Sequence, residues 1–189
     1  NNVAGVNIAG ATSNWSIHHS TFRNIYDSRE PGSSNLTNNS AVAVFSTRDF
    51  KFFRNIIYYT SDYNSSSNKR GNCLKMKHGS SPGSAGSTDI SNNVMWNCYE
   101  ACLSIAQPNV SVSKNRCGNS PAFFNSVDLG GPVAQQNISV VNNSAVDVTT
   151  LVNLVPTSKY HAVGKMTFKN NLLVANSPDM GSNQEKGFW

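Results

Sequence analysis

The sequence predicts an all-β protein, a right-handed parallel β-helix (solenoid) of about six to seven coils with an Asn ladder and long loops on one side. Three observations carry that expectation. Asn and Ser each occur 27 times in 189 residues, against three Glu and eight Leu. Helix formers are therefore scarce and turn formers abundant, so the backbone must find its partners in strands and tight turns. Six segments share the pattern apolar-x-apolar-x-x-Asn: Trp15 to Ser20, Phe50 to Asn55, Thr88 to Asn93, Val110 to Asn115, Ile138 to Asn143 and Met166 to Asn171. Ser20 replaces Asn in the first, and Thr88 replaces the leading apolar residue in the third. The last positions of these segments lie 35, 38, 22, 28 and 28 residues apart, a spacing that suits coils of roughly 22–28 residues with loops inserted in the first two intervals. An antiparallel β-sandwich is the competing architecture, but it has no reason to repeat one Asn position. A hydrophobic content of 38% is enough for a core and argues against disorder.

The elements follow in order. Each repeated segment is a strand whose inner apolar positions are Ile17, Phe52, Ile90, Val112, Val140 and Phe168. Between these segments lies a second set of short strands, Val42–Val44, Leu74–Met76, Leu103–Ile105, Phe123–Phe124 and Leu151–Val152, which alternate with the period of two that a strand requires. Parallel strands of successive coils stack about 4.8 Å apart, so identical polar residues can bond along the column. Asn suits that role because its amide both donates and accepts, and because it tolerates left-handed backbone in a tight turn. The insertions Ser28–Asn39, Ser61–Asn72, Gly79–Ser87 and Gly130–Gln136 are polar and rich in Gly and Ser. They read as loops gathered on the binding side of the solenoid. Residues 1–178 form the expected β-helix and 179–189 a C-terminal cap or linker. Uncapped solenoid ends expose strand edges, which points to flanking domains or self-association. No apolar run approaches the ~20 residues of a membrane span, so membrane insertion is not expected. The chain starts at Asn1 without a signal peptide and reads as a mature, processed or excised piece.

Column alignment sets Cys73 and Cys102 just before the equivalent strands Leu74–Met76 and Leu103–Ile105. Stacked coils bring Cα atoms about 4.8 Å apart, inside the disulfide window. The expected pairs are Cys73–Cys102 and Cys98–Cys117, with free buried thiols as the alternative. Disulfides place the protein outside the reducing cytosol, secreted or at a cell surface. No C-x-x-C pair suggests zinc. Seven N-x-S/T sequons, at Asn14, Asn35, Asn38, Asn64, Asn109, Asn137 and Asn142, are close to the roughly five expected by chance from this composition, so they permit glycosylation without indicating it. The net charge of +5 suits a polyanionic partner, or else it simply keeps a polar solenoid solvated. No nucleic-acid motif and no basic stripe with stacked aromatics is present, so nucleic acid is not expected.

The stretch Asn72-Cys-Leu-Lys-Met-Lys-His-Gly79 is where chemistry is expected. With Leu74 and Met76 inward, Lys75 and Lys77 point outward, with His78 at the following bend and Arg70 just before. Crowded cations favour proton loss from one Lys, which makes Lys77, Lys75 and His78 the candidate bases. Arg48, Lys51 and Arg54 occupy the preceding coil and, with Arg70 and His18, are candidate binders of carboxylates or sulfates on a sugar chain. His18 is expected to face out beside Phe53 and Ser91; a His18-His19 pair suits metal binding or proton shuttling, or is a plain surface turn. A glycosidase needs two facing carboxylates, and the ten acids show no repeated outward pair. No cofactor is called for by a motif. Calcium is the candidate ion, with Asp49, Asp62 and Asp89 as oxygen donors. No nucleotide loop or Ser nucleophile elbow is present.

Leu74-Lys-Met-Lys-His-Gly79 is similar to the Leu-x-Leu-Arg-His-Gly strand of polysaccharide lyase family six, the alginate lyases and chondroitinase B-like enzymes, which are right-handed β-helices. The preceding coil, from Val44 to Asn55, also resembles that family's Val-Lys-Ser-Ser segment. The resemblance spans roughly residues 40–97 and implies that Lys77 takes the place of the family's Arg. That Arg works beside a Lys one coil earlier, which removes the C5 proton of a uronic acid, often with calcium. Phe45 occupies the position of that base Lys and cannot take a proton. The resemblance thus implies an extracellular protein that binds, and cleaves by β-elimination, an acidic uronic-acid-containing polysaccharide through another base. The alternative is a non-catalytic β-solenoid acting as adhesin, fibre segment or carbohydrate-binding module.

Overall fold

The structure, a computed structural model, describes residues 4–10, 12–27, 40–45, 47–62, 71–77, 86–127, 137–155 and 165–174. The described residues form sixteen strands: β1 (Ala4–Ile8), β2 (Ser16–His18), β3 (Thr21–Asp27), β4 (Ser40–Phe45), β5 (Phe50–Phe53), β6 (Ile56–Asp62), β7 (Asn72–Lys77), β8 (Thr88–Ser91), β9 (Val94–Cys98), β10 (Ala101–Ala106), β11 (Val110–Ser113), β12 (Arg116–Val127), β13 (Ile138–Val141), β14 (Ser144–Val155), β15 (Met166–Lys169) and β16 (Leu172–Val174). The described residues contain no helix, and the strands pair in parallel throughout. The fold is all-β and solenoid-like.

The repeated segments stack as expected into a six-stranded sheet ordered β2-β5-β8-β11-β13-β15. The second set of strands also stacks in the register its apolar residues suggest, with Val42, Leu74, Leu103, Phe124 and Val152 in one column. Another set, not separable in the sequence, lies between these two in chain order and is the second stack: β3, β6, β9, the first halves of β12 and β14, and β16. The strands of the Leu74 column, β1, β4, β7, β10 and the second halves of β12 and β14, are the third stack. β12 and β14 belong to two stacks because each runs unbroken through a corner. Arg116–Gly118 pair with Val94–Trp96, while Ala122–Ser126 pair with Ala101–Ile105. The second and third stacks are thereby joined into one ten-stranded sheet. The stretches of chain outside the described residues, 28–39, 63–70, 78–85, 128–136 and 156–164, all adjoin an end of a third-stack strand. Residues 175–189, with the expected cap or linker, also lie outside the described residues.

The Asn ladder forms one continuous chain of bonds. In each row the Oδ1 of one Asn accepts both the backbone N–H and the Nδ2 of the Asn one coil earlier. Asn93 accepts from Asn55 at 2.9 and 3.1 Å, Asn115 from Asn93 at 3.0 and 2.9 Å, and Asn143 from Asn115 at 2.9 and 3.1 Å. Asn171 closes the series on Asn143 at 3.0 and 2.9 Å. Each Nδ2 also donates to a carbonyl of the six-stranded sheet, as Asn93 does to Phe52 at 2.9 Å. Asn55, Asn93, Asn115 and Asn143 are buried, so these bonds satisfy polar atoms that water cannot reach. Ser20 needs no amide in the first row, because its backbone N–H donates to Asn55 Oδ1 at 3.1 Å.

The remaining demand for Asn comes from the corners. Among the described residues, the fifteen non-glycine residues with positive φ, between 46° and 63°, all fall into three columns. Asn14, Asp49, Asn109 and Asn137 lead into the six-stranded sheet; His19, Arg54, Asn92, Lys114, Asn142 and Asn170 leave it; Asn24, Tyr59, Asn97, Asn119 and Asp147 separate the second and third stacks. Asn and Asp supply eleven of the fifteen, since their short side chains tolerate the left-handed region. Within a coil the columns are five residues apart, as at Asn14, His19 and Asn24 or Asn137, Asn142 and Asp147.

All four cysteines are paired, but differently from expectation: Cys73 bonds Cys98 and Cys102 bonds Cys117, with Cα–Cα distances of 5.5 and 6.2 Å. Cys73 and Cys102 do occupy one column, between the pairs Asn72↔Ala101 and Leu74↔Leu103. Side chains in a parallel column stand side by side and do not converge, so the Cα window was met without the Cβ approach a disulfide needs. Each bond instead runs from a third-stack strand to a second-stack strand of the following coil.

Candidate functional site

β7 carries the two lysines in the third stack, between β4 and β10. Lys75 lies in a column between Ala43 and Ser104, and Lys77 between Phe45 and Ala106. The alternation with Leu74 and Met76 is as expected, but the exposure is not. Lys75 is only 5% exposed and Lys77 is half-buried. The whole stretch Ala101–Pro108 in the next coil is buried as well, so this stack is covered on both faces. Alternation cannot signal that second cover, because it distinguishes only one face from the other. Lys77 Nζ lies 5.8 Å from the centroid of the Phe45 ring, a cation–π contact at the position where the resemblance places a base. The Lys77 carbonyl accepts from Gln107 Nε2 at 2.9 Å. His78 and Arg70 lie outside the described residues.

Arg48, Lys51 and Arg54 are exposed on a single coil. Arg48 sits on the turn between β4 and β5, where its backbone pairs with the Ser13 bridge through Thr12 and Asn14. Lys51 stands on the outer face of the six-stranded sheet between Ser16 and Asp89. Arg54 occupies the left-handed corner at that sheet's exit. His18 faces out in the column of Phe53 and Ser91, as expected. Its ring stacks on Phe53 at 4.9 Å and its Nδ1 lies 2.9 Å from Nδ1 of His19. The structure therefore gathers His18, Lys51 and Arg54 on and beside one sheet face, with Arg48 at its entry. Lys75 and Lys77 belong to another stack. A shallow groove of about 370 Å³ crosses that face, lined by Asp49, Lys51, Asp89 and Ser111 among others.

Of the candidate calcium ligands, Asp49 Oδ1 accepts from the N–H and the hydroxyl of Ser87, both at 3.2 Å, and Asp89 Oδ2 from the Ser91 hydroxyl at 3.4 Å. The side chain of Asp62 lies outside the described residues. Among the described residues no three His, Cys, Asp or Glu side chains converge as metal ligands.

A wider groove of about 850 Å³ runs along the third corner, and its residues escaped the sequence reading. Its walls include Tyr59, Tyr99, Glu100, Asn125, Thr149 and Asn153. Tyr59 is 46% exposed, while Asn125 is buried with an Oδ1 that has no hydrogen-bond partner. Glu100 Oε2 accepts from Asn72 Nδ2 at 2.9 Å, and Asn119 Nδ2 donates to Asn97 Oδ1 across the corner. The available signal was the recurrence of Tyr, Asn or Asp four residues after each ladder row, at Tyr59, Asn97, Asn119 and Asp147.

Among the described residues no helix is long and apolar enough to cross a membrane. Compared with protein-family models, with curated proteins and with solved structures, the chain matches none.

Proposed function

We propose that the chain is a right-handed parallel β-helix of a secreted or cell-surface protein, and that it binds an acidic, uronic-acid-containing polysaccharide without cleaving it. The observation that carries this reading is the contrast between two sets of cations. Lys75 is buried and Lys77 is held against Phe45, whereas Arg48, Lys51 and Arg54 stand exposed on one coil. Elimination needs a base within hydrogen-bond reach of the C5 proton. Phe45 supplies none, and the neighbouring amine is engaged with an aromatic face. Exposed guanidinium and ammonium groups, by contrast, pair readily with successive carboxylates on a chain. Right-handedness is supported by the general hand of connections between parallel strands of one sheet. An oxidising compartment is supported by the pairing of all four cysteines. Kinship with family-six polysaccharide lyases is proposed on the β7 motif and the preceding Val44–Asn55 segment, as a shared scaffold without the base.

The test is a depolymerisation screen on alginate, pectate and chondroitin, with and without calcium, alongside retention on the same polymers immobilised. The expected result is no ultraviolet-absorbing unsaturated product, and retention that falls with salt and with the triple variant Arg48→Ala, Lys51→Ala, Arg54→Ala. Product formation that disappears in Lys77→Ala would instead establish a lyase.

A further inference from the structure

We infer that the groove along the third corner is a second binding site, for a neutral oligosaccharide. This goes beyond the acidic-polysaccharide reading and uses none of its residues. The groove draws its walls from four consecutive coils: Tyr59, then Asn97–Glu100, then Asn119–Asn125, then Thr149–Asn153. Three coil steps give it a length of ~14 Å, enough for several sugar rings in a row.

Its chemistry matches hydroxyl-rich, uncharged ligands. Asn97, Asn119, Asn125 and Asn153 present amides that both donate and accept, and Thr149 adds an exposed hydroxyl. Among the described lining residues Glu100 is the one charged side chain and none is Lys or Arg. A polyanion would meet a carboxylate there with no cation among the described lining residues to offset it, whereas a vicinal diol can donate to that carboxylate. The half-exposed ring of Tyr59 offers an apolar face at one end with its hydroxyl as a polar handle. Asn125 supplies an independent pointer: it is 6% exposed, lines the groove and leaves its Oδ1 unbonded. Buried acceptors are nearly always satisfied, and a sugar hydroxyl seated beside Asn125 and its column neighbour Asn153 would satisfy this one. With a single carboxylate among the described lining residues, the groove is read as binding without hydrolysis.

The experiment is isothermal titration of the full chain with xylohexaose, cellohexaose and mannohexaose in ~1 M NaCl, where exposed charges are screened beyond about 3 Å. Two variants accompany it. Tyr59→Asn removes the ring but restores the residue found at this corner in the adjoining coils, Asn24 and Asn97, so the fold is kept or strengthened. Glu100→Gln retains an acceptor for Asn72. Binding of at least one hexasaccharide, weakened about tenfold or more in each variant (~1.4 kcal/mol), is the expected result. The proposal is overturned if no neutral hexasaccharide binds, if both variants bind as the native chain does, or if only uronic-acid oligosaccharides bind and only at low salt. That last outcome would leave the acidic-polysaccharide reading standing by itself.

Discussion

Replacing Asn93 by Ala removes the centre of the amide ladder. Its side chain makes four hydrogen bonds: to Asn55 N–H at 2.9 Å, Asn55 Nδ2 at 3.1 Å, Asn115 Oδ1 at 2.9 Å and the Phe52 carbonyl at 2.9 Å. Not all the partners are stranded. Asn55 Nδ2 keeps its bond to the Ile17 carbonyl, and Asn115 Oδ1 keeps the Asn93 N–H. The Asn55 backbone N–H, however, becomes a buried donor with nothing to receive it. At ~1 kcal/mol net per lost bond and ~1–3 kcal/mol for an orphaned buried group, allowing for the partners that remain, the expected loss is ~3–5 kcal/mol. For a chain of this size that lowers Tm by roughly 6–20 °C. Ser111→Ala, exposed on the outer face of the six-stranded sheet, is the control and should stay within ~0.5 kcal/mol. Asn171→Ala should fall between the two, because Asn171 is only partly buried and water can replace its bonds. Thermal or denaturant unfolding reads all three. If Asn93→Ala matched Ser111→Ala, the claim that the ladder stabilises the stack would be wrong.

Two further outcomes can be checked on the same preparations. Closing the Cys102–Cys117 span of 15 residues contributes ~3 kcal/mol in the chain-entropy picture, so the double variant Cys102→Ala, Cys117→Ala should lose about that much stability. Non-reducing peptide mapping should recover Cys73 linked to Cys98, and a Cys73–Cys102 peptide would refute the pairing. Glycine replacements should separate two kinds of crowding. A Cβ at Gly86 would meet the Asp49 backbone nitrogen at 2.7 Å and the Arg48 Cα at 2.8 Å, so Gly86→Ala should cost ~2 kcal/mol or more by unfolding. At Gly118 the obstacle is the Trp96 ring, 1.9 Å away; because that indole is partly exposed and able to swing out, Gly118→Ala should cost ~1 kcal/mol or less and red-shift the tryptophan emission. Equal losses at the two sites would count against this packing.

The ladder and the six-stranded sheet were legible because one residue type does one job there: only an amide both accepts from the coil before and donates to the coil after. The second stack was not. Its inward column runs Phe22, Ile57, Met95, Cys117, Ala145 and Leu173, six different residue types with volume as their only shared demand. Column position pairs Cys73 with Cys102, whereas the governing requirement is convergence of Cβ atoms from neighbouring stacks, which joins Cys73 to Cys98. At the candidate site, the alternation of Lys75 and Lys77 with Leu74 and Met76 could be read directly, but burial of Lys75 could not, since it depends on what covers the far face of the sheet. The corner groove escaped for a related reason. Its residues lie as far apart in sequence as Tyr59 and Asn153 and meet only once the coils are stacked.

The fixed interval between left-handed corners separates the parts of each coil that must be constant from those free to vary. Ladder rows recur at 22 to 38 residues, yet the steps from one corner to the next stay at five, so every length change is absorbed at the ends of third-stack strands. Because every ladder Asn accepts from the coil before and donates to the coil after in the same way, one coil is an acceptable neighbour for any other. A segment running from just past one ladder Asn to the next, such as 116–143, is thus a transposable unit: copied or excised whole, it rejoins the column in register. The same arithmetic lets surface segments be exchanged at the third-stack junctions without altering a single ladder bond, which allows such a scaffold to acquire new binding surfaces faster than it acquires new folds.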